Sequence, residues 1–171
     1  MCLHEIVKKN NLFLTIKGAN NDGTKFISDA LKKGARYIVS SKKIKNYEKR
    51  RIKVKNEILF LKKFAELKRQ QSLAKIIAIT GSAGKTSLKN LIRQLLQNFE
   101  KTYSSPRSFN NHFGVPISLS NLSVEDKYGI FEVGMSKTGE IKNLSKLIKP
   151  HIGIITNIGE AHIENFKNIN G

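Results

Sequence analysis

A chain of 171 residues with 39% hydrophobic residues can form one ordinary domain or two small ones around a packed core, which excludes wholesale disorder. Its apolar runs are far shorter than the roughly 20 residues of a membrane-spanning helix, no secretory signal follows Met1, and the single Cys2 allows no internal disulfide. The net charge of +18 is spread over separate segments with few interleaved aromatics, which favours a solubilising surface over a nucleic-acid site.

The first part of the chain predicts a small β-turn-α-β unit. Residues 12–16 form a short apolar strand, and a turn cluster rich in Asn and Gly follows them. A helix capped by Thr24 is expected over residues 24–33, and the apolar run 37–39 is a second strand. Residues 42–55 are charged and show no clear pattern. Residues 57–71 then have the apolar spacing of a helix.

Strands and helices alternate regularly in the second part of the chain. Strands are predicted over 75–80, 129–133 and 152–156, and helices from Lys85 and over 140–149. The helix from Lys85 has an apolar stripe made of Leu88, Leu91, Ile92, Leu95 and Phe99. Such alternation is typical of a mostly parallel sheet, beyond whose carboxyl ends ligands bind.

The fold class is therefore α/β in both parts. A linker at Gln70-Gln71-Ser72 predicts a small N-terminal α/β domain over 1–72 and a second α/β domain with a mostly parallel sheet over 73–171.

A phosphate-binding loop is predicted between the strand 75–80 and the helix that follows. Gly81 and Gly84 let successive N–H groups turn inward as a nest for an anion, next to the positive end of the helix. Lys85 can bridge phosphate oxygens, and Thr86 can place a hydroxyl on the magnesium that accompanies ATP. Ile79 replaces the first glycine of the strict motif, so the loop is a shorter form. The predicted nucleotide-binding residues are Gly81, Ser82, Ala83, Gly84, Lys85, Thr86 and Ser87.

Three further segments narrow the family. They read Asn-Asn-His-Phe-Gly-Val-Pro over 110–116, Phe-Glu-Val-Gly-Met-Ser over 131–136 with Gly-Glu-Ile at 139–141, and Thr-Asn-Ile-Gly-Glu-Ala-His-Ile-Glu-Asn-Phe over 156–166. With the phosphate loop, in this order and spacing, they resemble the central ATPase domain of the Mur ligases. These are ATP-dependent, amide-forming enzymes of bacterial cell-wall synthesis.

The segments look most like the branch of the family that adds D-alanyl-D-alanine to UDP-N-acetylmuramoyl-tripeptide. The serine-rich stretch typical of the diaminopimelate- or lysine-adding relative is absent after Glu132. Residues 12–35 are similar to the small UDP-binding domain of the same family, although its Asp-Ser-Arg stretch does not precede Leu12.

The resemblance implies a mechanism and a set of site residues. ATP phosphorylates the carboxylate of the UDP-linked peptide, and the amine of D-alanyl-D-alanine then displaces phosphate. Lys85, Glu132 and His162 are the implied catalytic residues, and Thr86, Glu132 and His162 the implied magnesium ligands. Asn111 is implied to contact nucleotide or metal, with Asn110 as its neighbour. Alone, each of these residue types is usually structural, so their joint spacing carries the assignment.

The resemblance also sets expectations for the chain as a whole. The carbamylated lysine and the C-terminal domain of the family are expected beyond Gly171, so we expect a fragment without ligase activity. We further expect a cytoplasmic monomer that binds no nucleic acid and does not insert into a membrane.

Three alternatives stay open at this point. One is another Mur ligase. A second is a different P-loop ATPase, although these usually have the longer loop and a magnesium-binding Asp at a strand end, where this chain has Ile79 and Glu132. The third is a basic nucleic-acid module, which predicts steeply salt-dependent binding to DNA or RNA.

Overall fold

The computed structural model describes residues 7–18 and 22–159, and the structural statements below refer to these residues. The chain divides into two compact units, Met1–Phe60 and Leu61–Gly171. Both contain a parallel sheet with helices, which confirms the α/β fold class. The division falls within the first turn of a helix, and the domain boundary near residue 72 stays a prediction.

The first unit is built on a three-stranded parallel sheet in the order β1-β2-β3. The strands are β1 (Leu12–Leu14), β2 (Tyr37–Ser40) and β3 (Arg51–Lys53). A 3-10 helix at Gly23–Phe26 leads into α1 (Ile27–Lys32), which connects β1 to β2. The core consists of Phe13, Ile27, Ala30, Ala35, Ile38 and Ile44.

Two features of this unit differ from the sequence prediction. The helix after β1 is capped by Asp22 instead of Thr24, because the Asp22 carboxylate accepts hydrogen bonds from the Thr24 N–H at 3.0 Å and hydroxyl at 2.8 Å. The unpatterned stretch 42–55 contains β3 and a second 3-10 helix, Glu48–Arg50. A three-residue strand with two basic residues is too short to show alternation.

The second unit has a four-stranded parallel sheet in the order β5-β6-β4-β7. The strands are β4 (Lys75–Thr80), β5 (Thr102–Ser104), β6 (Tyr128–Glu132) and β7 (Ile152–Ile155). The helices are α2 (Glu57–Gln71), whose first residues belong to the first unit, α3 (Lys85–Leu96), α4 (Gly114–Ser120) and α5 (Glu140–Ile148). None of the described helices is long and apolar enough to cross a membrane.

The register of this sheet brings the ends of three strands together. Ile79 of β4 lies opposite Glu132 of β6, and Thr80 lies opposite Ile155 of β7. All three strands run in parallel, so the loop after β4 lies at the same edge of the sheet as Glu132 and the segment after β7. This is the edge at which open α/β sheets bind ligands.

Both faces of the second sheet are covered, as the apolar β4 sequence requires. One face packs against α4 and α5, around Ile76, Ala78, Val115, Leu119, Phe131, Leu144 and Ile148. The other face, formed by Ile77, Ile79 and Ile130, packs against Leu88, Ile92 and Leu96 of α3.

The apolar stripe predicted for α3 is only partly buried. Leu88 and Ile92 pack on the sheet, but Leu91, Leu95 and Phe99 are 53%, 55% and 79% exposed. The helix is rotated so that Leu96 and Lys89 face inward instead. Periodicity predicts that an apolar stripe exists, but it does not fix which residues of the helix face the sheet.

Candidate functional site

The loop between β4 and α3 needs glycine at two positions. Gly81 has φ +132°, and a Cβ there would lie 2.1 Å from the Thr156 hydroxyl oxygen. Gly84 has φ +79° and precedes the first residue of α3. Both values fall in the region that favours glycine. The backbone therefore makes the inward turn that the sequence predicts for a phosphate loop.

The Lys85 ammonium folds back over this loop. Its Nζ donates hydrogen bonds to the carbonyl oxygen of Gly81 at 2.5 Å and to that of Ser82 at 3.3 Å. Because it lies beside the N-terminal end of α3, the ammonium adds its charge to the positive end of the helix dipole. The loop thus presents a cation where an anion is expected to bind.

The segment after β7 is bonded to the same loop. Asn157 accepts hydrogen bonds from the Ser82 N–H through its carbonyl oxygen at 3.1 Å and from the Ala83 N–H through Oδ1 at 2.8 Å. The Thr156 hydroxyl donates to the Ala83 carbonyl at 2.5 Å, and the Gly159 N–H donates to Ser82 Oγ at 2.9 Å. The sequence identified this stretch as a motif but gave no role to Thr156 or Asn157.

Glu132, the last residue of β6, has a fully buried carboxylate with a partner on each oxygen. Its Oε2 accepts from the Thr86 hydroxyl at 2.8 Å and from Lys89 Nζ at 3.3 Å. Its Oε1 accepts from Asn110 Nδ2 at 2.8 Å. Glu132 as a whole residue is 1% exposed. The pairing of β4 with β6 therefore brings the phosphate loop and this carboxylate into direct contact.

Lys89 is a site residue that the sequence analysis missed. It is 1% exposed, pairs with Glu132 and also donates to the Arg107 carbonyl oxygen. The signal was its position: Lys89 follows Lys85 by four residues and precedes Ile92 by three, so it lies on the buried side of the helix. A lysine at such a position requires a buried partner.

The two asparagines of the segment 110–116 do different things. Asn110 bonds to Glu132, and its carbonyl oxygen accepts from the Gly134 N–H at 2.8 Å. Asn111 Oδ1 accepts from the N–H groups of Phe113 and Gly114 at 3.0 and 2.9 Å, which caps the start of α4. The structure therefore brings Asn110 to the carboxylate and leaves Asn111 at the helix end.

The sequence around this site matches a known protein family. Residues 79–171 match the Mur ligase middle domain. This chain belongs to the Mur ligase family. The match begins at the end of β4 and includes the phosphate loop, Glu132 and the segment after β7, which confirms the resemblance inferred from the motifs.

Curated relatives that this Mur ligase chain matches include proteins named UDP-N-acetylmuramoyl-tripeptide–D-alanyl-D-alanine ligase. The protein from Rickettsia prowazekii is 43% identical over 164 residues, which are 95% of this chain and 36% of the relative. The Bacillus subtilis protein is 31% identical over 160 residues, 92% of this chain and 35% of the relative. The chain thus spans little more than a third of the length of these relatives.

Solved structures of MurF share the fold. A crystal structure of MurF from Acinetobacter baumannii matches with a TM-score of 0.83 and 29% identity, over 99% of this chain and 38% of that one. MurF from Thermotoga maritima, in complex with ADP, matches with a TM-score of 0.78 and 29% identity, over 99% of this chain and 40% of that one.

Most of the site residues predicted for this Mur ligase chain lie at one edge of its second sheet. Gly81, Ser82, Ala83 and Lys85 contact one another or the segment after β7, and Thr86 contacts Glu132. Ser87 is exposed in the first turn of α3. His162 lies outside the described residues. The individual roles assigned to all these residues stay predictions.

The oxygen atoms at this edge fit magnesium. The Thr86 hydroxyl and the Glu132 carboxylate are hard ligands whose oxygens lie 2.8 Å apart, and Thr86 is exposed to solvent. Among the described residues no group of three or more His, Cys, Asp or Glu side chains could hold a metal. A magnesium ion bound here by the described residues therefore needs further oxygen ligands from a nucleotide and water.

Proposed function

We propose that this chain is the ATP-binding part, with a preceding UDP-binding-type domain, of a Mur ligase that joins D-alanyl-D-alanine to UDP-N-acetylmuramoyl-tripeptide. The contact between the Thr86 hydroxyl and the Glu132 carboxylate carries the proposal, because it joins a phosphate loop to a carboxylate that could bind magnesium. The names of the relatives support the substrates, and the ADP complex of the Thermotoga maritima protein supports the nucleotide.

The residues support a phosphoryl transfer in which the protein positions charge instead of forming covalent bonds. The substrate carboxylate attacks the γ-phosphorus of ATP, ADP leaves, and the amine of D-alanyl-D-alanine then attacks the acyl carbon while phosphate leaves. The Lys85 ammonium and the loop N–H groups hold phosphate oxygens. Thr86 and Glu132 would hold magnesium, which would supply charge neutralisation on the phosphates.

The proposal also covers two further residues, the oligomeric state, the compartment and the partners. His162 would join a second metal site, and Asn111 would contact nucleotide or metal. The protein would act as a monomer in the cytoplasm, where both substrates are soluble. Neither nucleic acid nor membrane is proposed as a partner.

The experiment is an ATP-binding titration with magnesium at moderate salt, with the purified wild type against Lys85→Ala. Loss of the charged hydrogen bonds from Lys85 should weaken ATP binding roughly 10- to 100-fold. Lys142→Ala is the matched control, because Lys142 is an exposed lysine of α5. It should bind ATP like the wild type.

A DNA duplex titrated in parallel tests the basic-module alternative. Weak, salt-sensitive DNA binding that is equal in the two lysine variants fits the proposal. ATP binding that Lys85→Ala leaves unchanged, or tight DNA binding without ATP binding, contradicts it. A ligation assay on the intact gene product with both substrates then tests the reaction itself.

A further inference from the structure

Lys89 and Glu132 form an ion pair that is almost completely removed from solvent. Nζ lies 3.3 Å from Oε2, and each side chain is 2% exposed. Burying two charges costs solvation free energy that is recovered only when further hydrogen bonds complete the pair. The hydroxyl of Thr86, the amide of Asn110 and the carbonyl of Arg107 supply these bonds.

The same carboxylate oxygen serves the ion pair and the proposed metal site. Glu132 Oε2 accepts from both Lys89 and Thr86, so the oxygen next to the Thr86 hydroxyl already has a cation beside it. The carboxylate contributes one negative charge and the ammonium one positive charge. This pair therefore has no net charge with which to attract a divalent cation, and the Lys85 ammonium in the loop adds only positive charge to the described part of the site.

We propose that Lys89 is a resident counter-ion that prevents a divalent cation from binding at Glu132 before the nucleotide arrives. This inference rests on the proposed function and extends it to the order of binding. A nucleoside triphosphate brings the negative charge that a neutral carboxylate–ammonium pair lacks, so metal and nucleotide enter together. Lys89 acts through Glu132 and touches no reacting atom, so it is a positioning residue.

The proposal requires that the cation repulsion come from the charge of Lys89 and not from its volume. Lys89→Gln keeps a hydrogen-bond donor near Glu132 and removes the charge. Arg93→Gln is the matched control, because it removes one positive charge from an exposed position one turn further along α3. The double variant Lys89→Gln/Glu132→Gln removes both charges of the pair.

The first measurement is Mn²⁺ binding by electron paramagnetic resonance, with the intact gene product and no nucleotide. Removing a unit charge a few ångströms from the site should tighten Mn²⁺ binding on the order of tenfold or more in Lys89→Gln. The wild type and Arg93→Gln should bind alike, and the double variant should lose the gain. Equal Mn²⁺ binding by Lys89→Gln and the wild type would overturn the proposal.

The second measurement is thermal unfolding with and without Mn²⁺, which tests the proposal even if Lys89→Gln is less stable than the wild type. A cation that binds the folded state raises the midpoint of thermal unfolding. Mn²⁺ should therefore raise the unfolding midpoint of Lys89→Gln and so reverse much of the decrease caused by the substitution. In Arg93→Gln, Mn²⁺ should change the midpoint no more than it does in the wild type. A variant that Mn²⁺ does not stabilise contradicts a counter-ion role and leaves Lys89 purely structural. No nucleotide is present, so failure of the ATP-binding proposal appears separately, in the Lys85→Ala titration.

Discussion

The two parallel sheets of this chain each have a glutamate at the carboxyl end of their strands, but the two carboxylates are held differently. In the first sheet, Glu57 Oε1 accepts from the Ser41 N–H at 2.7 Å, the Ser41 hydroxyl at 2.9 Å and the Thr15 hydroxyl at 3.3 Å. All of these donors are neutral. In the second sheet, Glu132 is fully buried and shares one oxygen between Lys89 and Thr86.

The difference suggests different roles: the Glu57 carboxylate has a structural role, whereas the Glu132 carboxylate is placed to take part in chemistry. The Glu57 contacts join the ends of β1 and β2 to the start of α2, and they use up one oxygen on local, neutral donors. The Glu132 contacts bring a cation and a loop hydroxyl from α3 to one oxygen. A buried charge pair is retained at a cost in solvation, which is a reason to look for function at Glu132.

The largest expected effect is on stability, and it tests the comparison directly. Glu132→Ala leaves the Lys89 ammonium buried without a counter-charge, so the free energy of unfolding should fall by about 3–5 kcal/mol. Glu57→Ala leaves only neutral donors, of which Ser41 is exposed and the buried Thr15 hydroxyl also bonds to Ser40, and should cost about 1 kcal/mol. Chemical denaturation of both variants gives the two values. Equal losses would show that the two carboxylates are held in energetically similar ways.

The next effect concerns the loop between β4 and α3 of the second unit. Gly81→Ala combines a φ that L-residues avoid with a clash against Thr156, and should cost about 3 kcal/mol. Gly139→Ala also has a positive φ, but a Cβ there meets nothing within 4 Å, so about 1 kcal/mol is expected. The thermal unfolding midpoints of the two variants provide the measurement. A milder effect at Gly81 than at Gly139 would mean that the contact with Thr156 is not tight.

A smaller effect concerns the acid response of the first sheet. Burial opposes ionisation of Glu57, but the hydrogen bonds from Ser41 and Thr15 outweigh it and place its pKa below the ordinary value of 4.5. The unfolded chain therefore binds protons more readily, and the stability that Glu57 contributes above pH 4.5 is lost as the pH falls below that value. Urea unfolding of the wild type and Glu57→Gln should converge towards low pH. Curves that stay parallel would contradict this account of the Glu57 contacts.

The smallest effect tests whether neutral hydrogen-bond donors also determine the pKa of a second carboxyl group in the first unit, that of Asp22. The Thr24 N–H and hydroxyl and the Lys42 ammonium lower the pKa of Asp22 from 3.8 to about 2. Thr24→Ala removes the hydroxyl bond and Lys42→Met removes the ammonium, so each should raise this pKa part of the way to 3.8, while the Thr24 N–H, the largest cause, stays in place in both. Carboxyl NMR titration measures both shifts. A larger shift for Lys42→Met would mean that charge matters as much here as at Glu132.

The sequence predicted one part of the site well because that part is local. Gly81, Gly84, Lys85 and Thr86 are consecutive or nearly so, and the apolar strand and amphipathic helix around them are read from the same stretch. The periodic helix α2 and the continuous apolar strand β4 have the bounds that the sequence predicts. Short strands such as β3 and β5, with three residues each, show no period to read.

The rest of the site depends on contacts between residues far apart in the chain. Lys89 pairs with Glu132, 43 residues away, and periodicity predicted neither that contact nor which side of α3 faces the sheet. The choice between Asn110 and Asn111 also depends on geometry, since the two residues are neighbours in sequence and only one faces β6. Sequence order can identify such residues as candidates, but only the strand register decides which of them meet.

The Asn157 side chain has a consequence for how strongly the loop can hold a ligand. Its Oδ1 already accepts the Ala83 N–H, and its backbone oxygen accepts the Ser82 N–H. An anion that takes either donor has to compete with a group of the protein itself, so its binding free energy is the difference between two sets of hydrogen bonds. Affinity at this loop is thus adjustable from a residue 74 positions further along the chain, which can change with no alteration to the loop's own sequence.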